Sequence, residues 1–436
     1  MGLVPIIRAS ILAISLQLGH IAMVQRPVSV LLLTQYFPPE TGAAQNRLAG
    51  LVRELTDLGA KVTVLTAMPN YPTGKVFENY RGRWFVRERH GSADVIRTWI
   101  WAHRRRSILM RGLSFLSFCL SALLVGIVNV RSADILIWES PPLPLGLTAW
   151  ILAKVRGAQL VTNVSDLWTE SLLDLGLVRP GLLSGGFARL ERFLYRSSSL
   201  VSGQTRHIVA VIGQECPSIP TYHWPNGADL PPPGTMEMTD ENPRPEWNLD
   251  RHDFVVGYAG LIGHNQGLEI VVKTAQLLRD ESVTFVLVGD GPEREALLGH
   301  VREHRLPNII WRPPVPHDEM PGIWRGFDCA LVCLRRGRVF RGAVPSKLYE
   351  AMGAGLPVLL AIEGEAAEIV READCGVVVK SEEPTELAAA IRSLRGSVEE
   401  RRRLGDNGRR AATGRFNRSK LTRQFAESLL KVHEKS

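Results

Sequence analysis

At 436 residues the chain is too long for one typical core, and two domains of about 200 residues are expected. Hydrophobic content of 45% and charged content of 22% are those of an ordinary globular protein. The net charge of +8 is modest for this size but clustered, at residues 104–106, 335–341 and 401–403; none of these clusters interleaves with aromatics as a nucleic-acid module does, which sets nucleic acid aside and leaves phosphate-bearing small molecules or a membrane surface as partners.

Residues 1–22 are hydrophobic, with Arg8 the one formal charge, and imitate a signal peptide. No small-residue cleavage site is clear, and Met23 stands just before the first convincing strand. Two readings stay open: a start codon set too far upstream, or a short membrane-contacting leader. Secretion is disfavoured by the five cysteines, Cys119, Cys216, Cys329, Cys333 and Cys375, an odd number without metal-ligand spacing that suits a reduced cytosol.

From residue 27 the pattern is strand, loop, helix, repeated. Residues 28–34 form an apolar run of the kind buried on both faces of a parallel sheet. The loop after it holds Gly42, which lets backbone amides come close to a ligand, and leads into a helix over 43–58. Further strands are expected at 61–66, 94–99, 135–138, 159–164 and 200–202. Strands alternating with helices imply a doubly wound α/β domain. Within it, residues 112–130 carry no charge and follow a flank of tryptophans and arginines over 99–106. Strands on either side must share one sheet, so a helix lying against the inner membrane leaflet fits better than a spanning one; a buried core helix is the plain alternative.

Asp166 and Glu170 follow the strand at 159–164 and lie four residues apart, on one helical face. Either could orient or deprotonate an acceptor hydroxyl, and helix capping by Ser165 or Asp166 explains the pattern nearly as cheaply. A Pro- and acid-rich stretch over 230–250 reads as the interdomain linker. A second alternating region then sets strands at 254–259, 284–288, 309–311, 329–332, 358–361 and 376–379. After its first strand, Gly260, Gly263 and His264 invite a phosphate, with a flexible turn as the alternative. Residues 417–432 form a last helix with no strand after it, expected to cross back to the first domain.

The densest chemistry lies at 335–357. Arg335, Arg336, Arg338, Arg341 and Lys347 gather without an acid over 335–347, ahead of a helix whose start is marked by Pro345 and Ser346. Cations before a helix N-terminus make an anion site. Glu350, one turn in, could accept hydrogen bonds from sugar hydroxyls. An Asp-x-Asp pair beside a strand end is missing, so fixed cations and amides, not a metal, are expected to stabilise a departing diphosphate.

Six motifs in order carry a resemblance: Tyr36-Phe37-Pro38-Pro39-Glu40, Pro69-Asn70-Tyr71-Pro72-Thr73-Gly74, Ser165-Asp166-Leu167-Trp168, Pro225-Asn226-Gly227, Val288-Gly289-Asp290-Gly291-Pro292 and Pro345-Ser346-Lys347-Leu348-Tyr349-Glu350. From about Pro27 onward the chain resembles the retaining family-4 glycosyltransferases of the GT-B fold, in particular sugar transferases of bacterial polysaccharide clusters related to colanic-acid and O-antigen assembly. The resemblance implies two facing Rossmann-like domains. The acceptor domain would span 27–229 with its membrane-contacting segment near 99–131. The linker would span 230–250 and the nucleotide-sugar domain 251–416, with a closing helix over 417–436 and a leader over 1–26. It implies that Glu350 binds the ribose and that Lys347 with nearby amides, and with Arg338, Arg341 and Ser346, holds the diphosphate of a UDP-sugar. Gly42, Gly260, Gly263 and His264 would complete the donor side, and Asp166 and Glu170 the acceptor side. A polyprenyl-diphosphate saccharide is the implied acceptor, at the cytoplasmic face of the inner membrane, with no cofactor or metal ion.

Three departures accompany the resemblance. Gly342 stands where the family's first glutamate is usual. Leu261, Ile262 and Gln266 stand where basic residues are usual, so Arg335 to Arg341 are the expected substitutes. Ser165 and Asp166 stand near the place of a common histidine. A UDP-sugar epimerase and a non-catalytic nucleotide-sugar-binding partner are the alternatives.

Overall fold

The computed structural model describes residues 26–434 except 72, 104–107, 175, 231–242, 251 and 317–318. The leader, the arginines at 104–106, Pro72 and most of the expected linker lie outside the described residues.

The first half builds one sheet from β1 (Ser29–Leu33), β2 (Lys61–Ala67), β3 (Phe85–His90), β4 (Ala93–Thr98), β5 (Ile135–Ser140), β6 (Gln159–Val164), β7 (Leu200–Gly203) and β8 (Thr221–His223). Their order is β3-β4-β2-β1-β5-β6-β7-β8, and every pairing is parallel except that of β3 with β4. β1 is buried along its whole length. Its side chains alternate: Leu31 and Leu33 face the helices Ile108–Asn129 and Leu145–Arg156, while Val30 and Leu32 face the helix Ala43–Asp57. Two edge strands, β3 and β8, were not expected from sequence.

The second half builds an all-parallel sheet from β9 (Phe254–Ala259), β10 (Val283–Val288), β11 (Ile309–Arg312), β12 (Cys329–Cys333), β13 (Val358–Ala361) and β14 (Gly376–Val378), ordered β11-β10-β9-β12-β13-β14. Setting aside the hairpin strand β3, both sheets reverse direction of progress beside their first strand, which opens a crevice at the carboxyl ends. In the second sheet that crevice lies between the loops after β9 and β12. The loops after β9 and β10 meet backbone to backbone: a Cβ on Gly289, at φ +147, would fall 2.0 Å from the Gly260 carbonyl oxygen.

The closing helix, Arg418–Glu434, does cross back to the first domain. Its Phe425 is fully buried and stacks on Trp224 with ring centroids 4.4 Å apart. The crossing point is stitched: the Ala228 amide donates to the Phe416 carbonyl (2.7 Å) and the Arg418 amide to the Ala228 carbonyl (3.0 Å). Arg418 also donates from Nε to the Asn226 carbonyl at 2.7 Å and pairs with Asp229. All five cysteines are free thiols and buried.

The helix Ile108–Asn129 packs Phe118, Cys119 and Ala122 into the core beneath β2 and β4. It is also long and apolar enough to cross a membrane. Its opposite face is open: Leu116, Leu120, Leu124 and Val128 are 50, 63, 67 and 79% exposed, one every fourth residue.

Candidate active site

A cleft of about 940 Å³ separates the two sheets' carboxyl ends and is walled by both domains. The first domain contributes Ser165, Asp166 and Glu170 from the segment after β6, and Gln204, Thr205 and His207 from the turn after β7. The second contributes Asn265 and Gln266 after β9, and residues 342–346 ahead of the helix Ser346–Ala354. An apolar flank of Phe115, Leu116, Leu177, Leu183 and Phe187 extends it toward the exposed stripe of the helix Ile108–Asn129.

On the second domain, Lys347 points back under the loop after β9. Its ammonium donates to the Tyr258 hydroxyl (2.6 Å) and Gln266 Oε1 (2.8 Å), and sits 3.9 Å from the Tyr258 ring centroid. Burial of that ammonium pushes its pKa down to about 8, against the smaller pull of Cys333 and Glu350. The cation is held by a phenol and an amide, with no carboxylate of the described residues in salt-bridge range, so an incoming anion would meet a charge that no ion pair compensates. Gly260 makes room for it: a Cβ there would come within 3.3 Å of Nζ. Glu350 is half-buried and does not line the cleft wall. Pro345 occupies the cap position and Ser346 is the first helical residue, with no side-chain cap. The helix therefore presents its positive end to the cleft directly.

The expected arginine cradle is not there. Arg335 pairs with Glu269 and donates to the His264 carbonyl at 2.6 Å. Arg336 bonds Glu383 (3.2 Å) and Arg341 bonds Glu363 (3.4 Å). Arg338 is exposed on the short helix Arg338–Arg341, whose cleft-facing residues are Val339 and Phe340. Acids distant in sequence have claimed three of these guanidiniums, which leaves a mainly apolar wall. Gly263 and His264 also stay out of the cleft lining, as does Gly42, which precedes the helix Ala43–Asp57 in extended conformation.

On the first domain, Asp166 opens onto the cleft. Crowding by protein, then the nearby Glu139 carboxylate, raise its pKa to about 6, while Arg47 opposes them. Those two neighbours belong to a polar network that sequence reasoning missed. Arg47 is fully buried; it donates to Glu139 (2.8 Å), the Ser165 hydroxyl (2.9 Å) and Asn226 (3.2 Å), and stacks on Trp224 at 4.9 Å. Glu139 also accepts from Asn163 and Ser165. The available signal was a polar residue at the carboxyl end of each of two apolar strands, Glu139 on β5 and Asn163 on β6.

The domains also touch across the cleft. Glu365 of the second domain accepts from the backbone amides of Arg206 (2.8 Å) and His207 (2.9 Å), at the start of the helix Arg206–Glu215. The Val339 amide donates to Asp174 at 2.8 Å. Beside these ties, Gly342 lies against His207: a Cβ on the glycine would fall 2.2 Å from the imidazole Cδ2.

Two family models match the chain. Residues 42–215 match the one described as a glycosyl transferase 4-like domain, and residues 239–411 that of glycosyl transferases group 1. WcaI of Escherichia coli (strain K12), named as a colanic acid biosynthesis glycosyl transferase, is 28% identical over 328 residues, covering 73% of this chain and 79% of the relative. Among solved structures, the sucrose-phosphate synthase of Thermosynechococcus elongatus superposes with a TM-score of 0.74 at 16% identity, covering 94% of this chain and 100% of that one. Anabaena HepE in complex with UDP-glucose gives 0.67 at 18%, covering 92% and 99%. At such identities the likeness is one of fold.

Proposed function

The chain belongs to the family-4 glycosyltransferases of the GT-B fold, and on that premise we propose that it moves a sugar from UDP to a polyprenyl-diphosphate-linked saccharide, with retention, in bacterial surface polysaccharide assembly. The sugar of this proposal is an N-acetylated hexosamine or deoxyhexosamine. The observation that carries the reading is one cleft that sets Asp166 and Glu170 opposite a helix N-terminus, with the Lys347 ammonium held behind that wall by Tyr258 and Gln266.

In this mechanism the bond from the sugar's anomeric carbon to the UDP β-phosphate oxygen breaks as the acceptor oxygen bonds the same face of that carbon. The acceptor's proton passes to the departing phosphate oxygen, so no protein nucleophile is needed. Lys347 and the amides near residues 343–346 stabilise the charge on UDP. Glu350 binds the ribose. Asp166 orients the acceptor hydroxyl, with Glu170 beside it. Arg335, Arg336 and Arg341 have a smaller part than the sequence suggested, because their partners are carboxylates of the same domain.

The acceptor's lipid and the proposed place of work, peripheral to the inner membrane face, are supported by the apolar flank of the cleft and its continuation onto exposed leucines. The proposed chemistry uses no divalent cation. The acids that line the cleft are Asp166 and Glu170 alone among the described residues.

The test supplies UDP-sugars singly, with and without a lipid-linked acceptor, in buffer and in EDTA. UDP released only with acceptor, and unchanged by EDTA, supports the proposal. An epimerised sugar without transfer would favour the isomerase. Measurable UDP binding without turnover of any donor would favour a non-catalytic binding partner.

A further inference from the structure

The wall that the second domain offers at residues 339–346 is poor in side-chain chemistry. Its cleft-lining members are Val339, Phe340, Gly342, Ala343, Val344, Pro345 and Ser346, and only Ser346 carries a polar side chain. A sugar seated there would find backbone amides and one hydroxyl. Yet a titratable ring stands against this wall, and it comes from the other domain. His207 is the second residue of its helix, two after the cap Thr205, and its imidazole reaches Gly342 closely enough to fill the space of a side chain at that position. Gly342 has ordinary right-handed helical backbone angles, φ −90 and ψ −3, so the turn itself does not demand glycine. The ring does.

We propose that His207 is a specificity-determining residue for the donor: its imidazole hydrogen-bonds a hydroxyl or amide of the sugar in a nucleoside diphosphate sugar held at residues 342–346. The proposal rests on the donor reading above and adds a contact from the first domain. Three further observations support it. The ring lines the same cleft as Asp166 and Ser346. It makes no hydrogen bond to any described residue, so both nitrogens are free for a ligand. The carboxylate of Glu365 holds the backbone amides of Arg206 and His207, and so fixes the ring's starting point relative to the second domain. Since the first domain supplies the ring and the second supplies the phosphate site, sugar discrimination depends on both domains being in place.

Calorimetric binding of UDP and of a panel of UDP-hexoses and UDP-N-acetylhexosamines to the full chain tests this. The wild type is expected to bind its preferred UDP-sugar more tightly than the others. His207→Ala should weaken that donor by about 10- to 100-fold and level the panel, because a site built to bond a polar group loses its selectivity with the bond. The affinity for UDP itself should stay within about twofold. His207→Gln, which keeps a donor and an acceptor, should recover part of the preference. Gly342→Ala should behave like His207→Ala, since its methyl evicts the ring, and the double variant should be no worse than either single one. Equal losses for UDP and every UDP-sugar would make His207 a packing residue and overturn the proposal. So would an unchanged preference in His207→Ala, or a double variant restored to wild-type selectivity. A wild type that binds neither UDP nor any UDP-sugar would instead refute the donor reading beneath it.

Discussion

Lys347 keeps its charge beside a phenol and an amide, and that choice of partners has a pH signature. Folding lowers its pKa from an ordinary 10.5 to about 8, so the folded state favours the neutral amine. The stability contributed by this group is therefore full above 10.5 and is lost as pH falls through 8. UDP binding has the opposite sign, because the anion favours the protonated form. Between pH 8 and 10 the UDP dissociation constant should rise by up to about tenfold per pH unit, and Lys347→Gln should flatten that slope in a calorimetric titration. Asp166 titrates at the other end. With a pKa near 6, its carboxylate is lost as pH falls through 6, so the acceptor kcat/KM should decline there, and Asp166→Asn should remove that acid limb from the pH profile. Glu350→Ala should cut kcat/KM for the UDP-sugar by about 100-fold in the UDP-release assay, and a silent variant would sink the ribose assignment. The residues legible from sequence were those whose neighbours in the chain reveal them. Asp166 and Glu170 follow a buried strand, and Lys347 stands in the first turn of a helix. Arg335, Arg336 and Arg341 misled because Glu269, Glu383 and Glu363 lie 66, 47 and 22 residues away.

Among the elements, the helix Arg206–Glu215 draws the bonding of its first turn from both domains. Thr205 caps its Ile208 amide at 3.2 Å from within, and Glu365 takes the first two amides from across the cleft. Removing that second cap by Glu365→Ala should cost about 1 kcal/mol in urea unfolding and should weaken UDP-sugar binding more than UDP binding, because His207 loses its mooring. The central parallel strands were legible as apolar runs buried on both faces. β3 was not: its sequence, Phe-Val-Arg-Glu-Arg-His, puts charges on an edge, where the pairing with β4 shows only in the contacts of Arg97 with Glu88 at 2.6 Å and of Arg89 with Asp94 at 3.5 Å. Arg47 was hidden for a related reason. An arginine on an amphipathic helix reads as solvated, and only contacts 92, 118 and 179 residues away bury it.

For the whole molecule, the twofold use of one architecture was legible from the alternation of strands and helices, while the facing of the two domains came from the family resemblance alone, since no short-range pattern encodes it. The exposed leucine stripe belongs to this scale, because it matters only through its position beside the cleft's apolar flank. If the stripe meets lipid, Leu120→Glu with Leu124→Glu should abolish sedimentation with anionic vesicles while UDP affinity stays unchanged, as both residues lie outside the cleft. Loss of UDP binding as well would mean that the helix Ile108–Asn129 is simply core. One consequence remains in the way the chain returns home. Because residues 226–229 and 416–418 run side by side, the second domain hangs from the first by two bonded backbone segments. Two such straps define an axle that a break elsewhere in the linker does not sever. A protease cut within residues 231–242 should accordingly leave the two fragments travelling together on a sizing column, with the axle intact.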